Sequence, residues 1–143
     1  MKDCVFCYLK KIKDEIFYES KYFYGIYNIK PIVPGHSLII TKRHVPRFLE
    51  LNKEELEELI PTMKKVTKVL LKVYKAPDFD ISLQDGKSAG QTIQHIHFHI
   101  IPRKPGDIWG TWIKHIREME KAERIPDEVV KENVKKIKRT FKD

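Results

Sequence analysis

An α+β fold with about five mainly antiparallel strands is what this sequence predicts, and three observations predict it. One long stretch, Lys53 to about Tyr74, carries apolar residues at a three-to-four spacing and reads as a helix. Several short runs rich in β-branched and aromatic residues lie on either side of it, punctuated by proline and glycine. The connections between those runs are short, which favours antiparallel neighbours. A length of 143 residues suits one domain with a real core.

Taken from the N-terminus, Cys4 to Lys13 reads as a short amphipathic helix, because Phe6, Leu9 and Ile12 recur at helical spacing. Ile16 to Glu19 and Tyr22 to Asn28 read as strands of a hairpin turning at Ser20-Lys21. Pro31 and Pro34-Gly35 break the chain before a further strand, His36 to Thr41. Asn52 can cap the long helix, whose first turns place Glu54, Glu55, Glu57 and Glu58 near its positive end. Leu56, Leu59, Ile60, Met63, Val66, Leu70 and Val73 form its core stripe, and Pro61 is expected to kink it. Asp78 to Leu83 is another strand. Gln84 to Thr92, with Gly86 and Gly90, is a loop leading into the strand Gln94 to Ile101. Pro102 to Gly110 is a second loop. From Thr111 the chain reads as helical, with a break near Ile125-Pro126 and a last helix from Asp127 to Phe141. Residues 1–110 are thus the main body and 111–143 a helical extension of the same domain.

The apolar fraction, 41%, is ordinary for a globular protein, and no apolar run is long enough to span a membrane. The start, Met1-Lys2-Asp3-Cys4, has no secretory character, so a cytoplasmic protein without membrane partners is expected. The formal charge of +8 suits a polyanionic ligand. Much of the excess sits between Lys131 and Lys142, where it reads as a solvated helix face. Phe141 is the only aromatic residue interleaved with those charges, which argues against nucleic-acid binding there.

The chemistry concentrates in Gln94-His95-Ile96-His97-Phe98-His99-Ile100-Ile101. Successive side chains of a strand point to opposite faces, so His95, His97 and His99 would share one face and Ile96, Phe98 and Ile100 the other. Imidazole serves as base, nucleophile or metal ligand near neutral pH. A chelating metal site is therefore the rival to a catalytic one. In the preceding loop, Gly86 and Gly90 can expose backbone N–H groups to an anion. Gln84, Gln91 and Thr92 add neutral donors for phosphate oxygens. An imidazole beside them can attack phosphorus. The only two cysteines form Cys4-Val5-Phe6-Cys7, with no strand before them, which favours metal binding over a redox motif and leaves two ligands to be found elsewhere.

These residues together resemble the histidine triad (HIT) family. The resemblance rests on His95-Ile96-His97-Phe98-His99, Asn28-Ile29-Lys30-Pro31, Pro34-Gly35-His36, Gln84-Asp85-Gly86 and Ala89-Gly90-Gln91-Thr92, and runs from Cys4 to about Arg103. It implies a HIT-like sheet continued across a homodimer. The Gln-Asp-Gly form is most similar to the fragile-histidine-triad branch of dinucleoside polyphosphate hydrolases. Phosphoramidate hydrolases of the family usually carry Asn where Gln84 stands. Nucleotidyl transferase relatives are about twice as long, with Gln where His99 stands, though a phosphorylase differs only in what enters after the adduct forms. A nucleotide-binding regulatory protein with little catalysis is the alternative from another class.

The resemblance implies a role for each position. His97 would attack the α-phosphorus and carry the nucleotidyl group, with a backbone carbonyl fixing its tautomer. His99 would contact phosphate oxygens, and His36 would support the triad. Gln84, Gln91 and Thr92 would hold the phosphate chain or leaving group, and Asn28 the ribose hydroxyls. Phe6, Leu9, Ile26 and Ile29 would form the slot for a purine base. Zinc-bearing members place ligands at positions matching Cys4, Cys7, His44 and His95, a closed shell of the structural type. No organic cofactor is implied.

Overall fold

Runs of β-branched and aromatic residues form five strands: β1 (Ile16–Glu19), β2 (Phe23–Tyr27), β3 (Ser37–Thr41), β4 (Asp78–Leu83) and β5 (His97–Arg103). The computed structural model describes residues 3–107 and 112–142, the side chains of residues 112–116 excepted. The strands make one sheet in the order β1-β2-β3-β5-β4, and every neighbouring pair is antiparallel. The fold is thus the α+β arrangement read from the sequence, with the histidine strand β5 between β3 and the edge strand β4.

Register decides what each face carries. Ile26 lies opposite Leu38, which lies opposite His99; Tyr24 lies opposite Ile40, which lies opposite His97. Partners across a ladder share a face, so His97 and His99 stand among apolar neighbours on one side. Phe23, Ile39, Phe98 and Ile100 point to the other side and join the main core.

That core is closed by α2 (Lys53–Tyr74). Its start is a reciprocal cap: the Glu55 N–H donates to the Asn52 side chain at 2.8 Å, and the Asn52 N–H donates to the Glu55 carboxylate at 2.9 Å. Leu59, Met63, Val66 and Leu70 are buried against the sheet as the stripe requires. Leu56 and Ile60 are not, being 45% and 66% exposed, because they sit on the flank of a helix that touches the sheet along a narrower line. The helix runs unbroken through Pro61.

Three departures from the sequence reading shape the site. Residues 4–13 do not form one helix: a 3₁₀ turn at Val5–Cys7 and α1 (Leu9–Ile12) are separated by an extended Tyr8. The ladder begins at His97 rather than Gln94, because the His95 N–H turns back to the Ile93 carbonyl and the Ile96 N–H goes to Val45. His95 therefore precedes the strand. At its far end β5 continues through Pro102 to Arg103. Pairing with β3 stops at Ile100, so the missing N–H of Pro102 breaks no bond on that side.

Gly35, just before β3, has φ +93°, and a Cβ there would meet the Tyr74 ring at 2.7 Å and Pro102 at 2.9 Å. Glycine is needed both for the backbone and for the space. The extension contains α3 (Trp112–Lys121) and α4 (Asp127–Lys142). Val130, Val134 and Ile137 of α4 are buried in the core shared with α2 and the sheet, and Phe141 stacks on Tyr18 at 5.1 Å. Trp109 and the side chains of Trp112 and His115 lie outside the described residues.

Candidate active site and metal centre

The rings of His36, His99 and His97 each have a partner that fixes the proton. The Ile32 N–H donates to His36 Nδ1 at 3.1 Å, so that nitrogen is bare and the neutral ring carries its proton on Nε2. Nε2–H then donates to His99 Nδ1 at 2.9 Å. With Nδ1 accepting, neutral His99 keeps its own proton on Nε2. One backbone N–H thus sets two tautomers in series and leaves His99 as a donor. Burial first, and the neighbouring His99 second, hold His36 well below the ordinary imidazole range. Burial, then His97, holds His99 at about 3.

His97 is set the opposite way. Its Nδ1–H donates to the His95 carbonyl at 2.8 Å, which leaves the Nε2 lone pair free. Burial keeps the ring neutral, lowering its affinity for protons against the pull of that carbonyl. Its ring centroid lies 5.3 Å from that of His99 and 5.5 Å from that of Phe6. An unprotonated nitrogen beside an N–H donor, in a buried setting, is the pairing that nucleophilic attack on phosphorus needs.

Around the histidines, Asn28 lies with its amide nitrogen 3.2 Å from His36 Nε2, and its Oδ1 accepts the Lys30 N–H at 2.9 Å. Phe6 and Ile26 fall in one buried cluster with Cys4, Ile12, Leu38 and Ile40. Ile29 does not join them and packs on the helix-facing core instead. Leu9 is 55% exposed. Gln84 follows directly on β4 at the mouth of the loop, partly buried, while Thr92 is exposed. The side chain of Gln91 is buried and already engaged: Nε2 donates to the carbonyls of Pro46 and Ile93, and Oε1 accepts the Gly86 N–H at 2.7 Å. It shapes the loop around the Gly86 turn.

Two groups the sequence reading passed over also shape this region. Asp85 accepts from Arg47 Nε and from the Phe48 N–H at 2.6 Å, an anchor that the Phe48 N–H and then Arg47 strengthen by holding the carboxyl below its usual range. Thr41 presents the carbonyl that His95 needs. Asp85 stands inside a recognisable loop motif, but no local signal pairs it with a residue 38 positions earlier.

At the strand's entrance, Cys4, Cys7, His44 and His95 bring four ligand atoms within 4.8 Å of one another. His95 Nδ1 lies 3.3 Å from the Cys4 sulfur and 3.5 Å from that of Cys7, and His44 Nδ1 lies 3.1 Å from the Cys7 sulfur. Ligand atoms around a tetrahedral zinc stand about 3.3–3.8 Å apart, so this set fits one. His95 Nε2–H donates to the Thr41 carbonyl at 2.7 Å, which turns the Nδ1 lone pair toward the thiols. Burial and the neighbouring Cys4 push the Cys7 thiol up to about 11, so taking up a metal there releases a proton.

A family model described as the HIT domain matches residues 10–106. The chain is 45% identical over 96 residues to the bis(5'-nucleosyl)-tetraphosphatase [asymmetrical] of Schizosaccharomyces pombe, covering 67% of this chain and 53% of that one. It is 37% identical over 122 residues to the bis(5'-adenosyl)-triphosphatase of Dictyostelium discoideum, covering 85% of this chain and 82% of that one. The chain thus spans only about half the length of the S. pombe relative. Among solved structures, a zinc-bound histidine triad family protein from Mycobacterium smegmatis superposes with a TM-score of 0.78 at 26% identity, covering 99% of this chain and 94% of that one.

Proposed function

The chain belongs to the HIT domain family, and from that premise we propose that it hydrolyses dinucleoside polyphosphates or nucleotide conjugates at the α-phosphate through a nucleotidyl adduct on His97. The observation that carries the reading is the free Nε2 lone pair of His97, set by the His95 carbonyl beside the His99 donor. Relatives named as dinucleoside tetra- and triphosphatases support the substrate class.

In the first step His97 Nε2 bonds to the α-phosphorus as the bond from phosphorus to the bridging oxygen breaks. The departing nucleotide carries off that electron pair. His99 Nε2–H donates to a phosphate oxygen as charge gathers there, without giving up its proton. In the second step a water oxygen bonds to the same phosphorus and the P–N bond breaks. The product is a mononucleotide that keeps one proton of the water on its new oxygen, the other proton passes to solvent, and the lone pair returns to His97. Asn28, beside His36, would meet ribose hydroxyls, and Phe6 with Ile26 would line the base slot. Gln84 and Thr92 hold the phosphate chain, with Gln91 fixing the loop that carries them. Cys4, Cys7, His44 and His95 would hold a structural zinc, which ties the N-terminal segment down beside His97. No helix of the described residues is long and apolar enough to cross a membrane.

A panel of diadenosine tri- and tetraphosphate and an adenosine phosphoramidate, run with wild type, His97→Ala and His97→Gly, tests this. Expected are a mononucleotide product and a nucleotidyl mass on quenched wild type alone. The favoured substrate chooses between the hydrolase branches. Intact substrates with no adduct, yet with nucleotide bound, would replace the hydrolase by a nucleotide-binding module.

A further inference from the structure

We propose that the Cys4–Cys7–His44–His95 metal site is energetically coupled to the nucleotide cleft, with His95 and Phe6 as the positioning residues that join them. The proposal rests on the reading of the cleft as a nucleotide site.

Two links carry it. The first is His95. Its Nδ1 faces the two sulfurs, its Nε2–H is bound to Thr41, and its carbonyl accepts the proton of His97 Nδ1. The residue that would ligate the metal is the residue that orients the nucleophile. The second ligand histidine leads to the same place: Val45, next to His44, accepts the Ile96 N–H at 2.7 Å, between His95 and His97. Both histidine ligands are thus wired to the peptide that precedes the nucleophile.

The second link is Phe6, between the two cysteines. Its ring meets His95 at 5.7 Å and His97 at 5.5 Å, edge-on in both cases, and it is 7% exposed. It covers the nucleophile and lines the base slot together. Among the described residues, the backbone hydrogen bonds of residues 4–12 close within that segment or onto residues 13 and 15, none reaching the sheet. The segment is held to the body by side chains, chiefly the thiols and the buried Phe6 and Ile12. A segment so attached opens locally at low cost, and a metal gripping both its cysteines raises that cost.

The consequence is reciprocal. Metal bound at the cysteines favours the closed segment and hence nucleotide binding, and nucleotide bound against Phe6 favours metal by the same factor. The full chain, zinc-loaded and chelator-stripped, is titrated with adenosine monophosphate by calorimetry. Its zinc affinity is measured against a chromogenic chelator with and without saturating nucleotide. Expected are equal factors in the two arms, at least about fivefold, falling toward one in Phe6→Ala, which retains every ligand. Nucleotide affinity unchanged within about twofold on stripping would overturn the coupling. Failure of the nucleotide to bind either form would instead remove the functional reading beneath it. Hydrogen exchange separates coupling from general loosening. Stripping is expected to expose amides of residues 4–12 and 95–97 while β2 and β3 stay protected. Exposure of the whole sheet would overturn the proposal in favour of a purely structural metal.

Discussion

At His97 a single carbonyl decides which ring nitrogen reacts, and burial decides that it is bare. The ring's ordinary value is 6.5 and its surroundings move it lower. The acid limb of kcat/KM is therefore expected below pH 6.5, and a profile falling above that value would contradict a neutral His97 in this setting. The same burial writes itself into stability. His36 and His99 bind protons more weakly in the folded chain than at the ordinary 6.5, His99 only near about 3. The unfolded chain therefore takes up protons first as pH falls. The stability from keeping these rings neutral is full above about 6.5 and drains away as pH drops toward the native values. Urea midpoints measured between about pH 7 and pH 5 should fall more steeply for wild type than for His99→Gln, which has no proton to gain. Parallel slopes would show that His99 is not held neutral.

Among the elements, α4 shows how a polar-looking tail becomes part of the core. Val130, Val134 and Ile137 recur at helical spacing, and Ile137 has no exposed surface. Ile137→Ala should cost about 2–4 kcal/mol in urea unfolding; a loss well under 1 kcal/mol would mean that the helix is only loosely docked. The long helix, its Asn52 cap and the five short strands were legible because period and caps are local signals. The break at Tyr8 was not. The spacing of Phe6, Leu9 and Ile12 is the same whether one helix or two short turns carry it, and the break serves a meeting of Cys4 with His95, 91 positions away. Alternation equally hid that His95 leaves the ladder, since a histidine on a turn and one on a strand look alike in a row. Ile29, expected in the base slot, packs on the helix-facing core for a related reason: an apolar residue near a site motif does not declare which face of the sheet it joins. Gln91 was read as a phosphate donor because an amide beside glycines suits that role, whereas its bonds run inward to three backbone groups.

For the molecule as a whole, one edge of the sheet carries apolar side chains that remain exposed. Phe79 and Ile81 of the edge strand β4 are 46% and 43% exposed, and the flank of α2 adds Ile60 and Leu56. Exposed apolar groups along an edge strand suit the addition of a second copy, which is what the homodimer implied by the family resemblance would require. Ile81→Lys should shift the protein from dimer to monomer by light scattering on a sizing column. A mass unchanged by the substitution would place the interface elsewhere or leave the chain monomeric. The net charge of +8 would keep copies apart except where such an edge overrides repulsion.

The two margins of the sheet are unequal. β1 offers only four residues, and its register slips between Ile16 and Tyr18, whereas β4 runs six residues in regular register. A sheet with two good margins can add neighbours without end and grow into a ribbon. With one good margin, an antiparallel addition consumes the β4 of both copies and leaves a β1 at each outer end. Growth then halts at two. The slip in a four-residue strand, a flaw on its own scale, is what would keep this chain from polymerising.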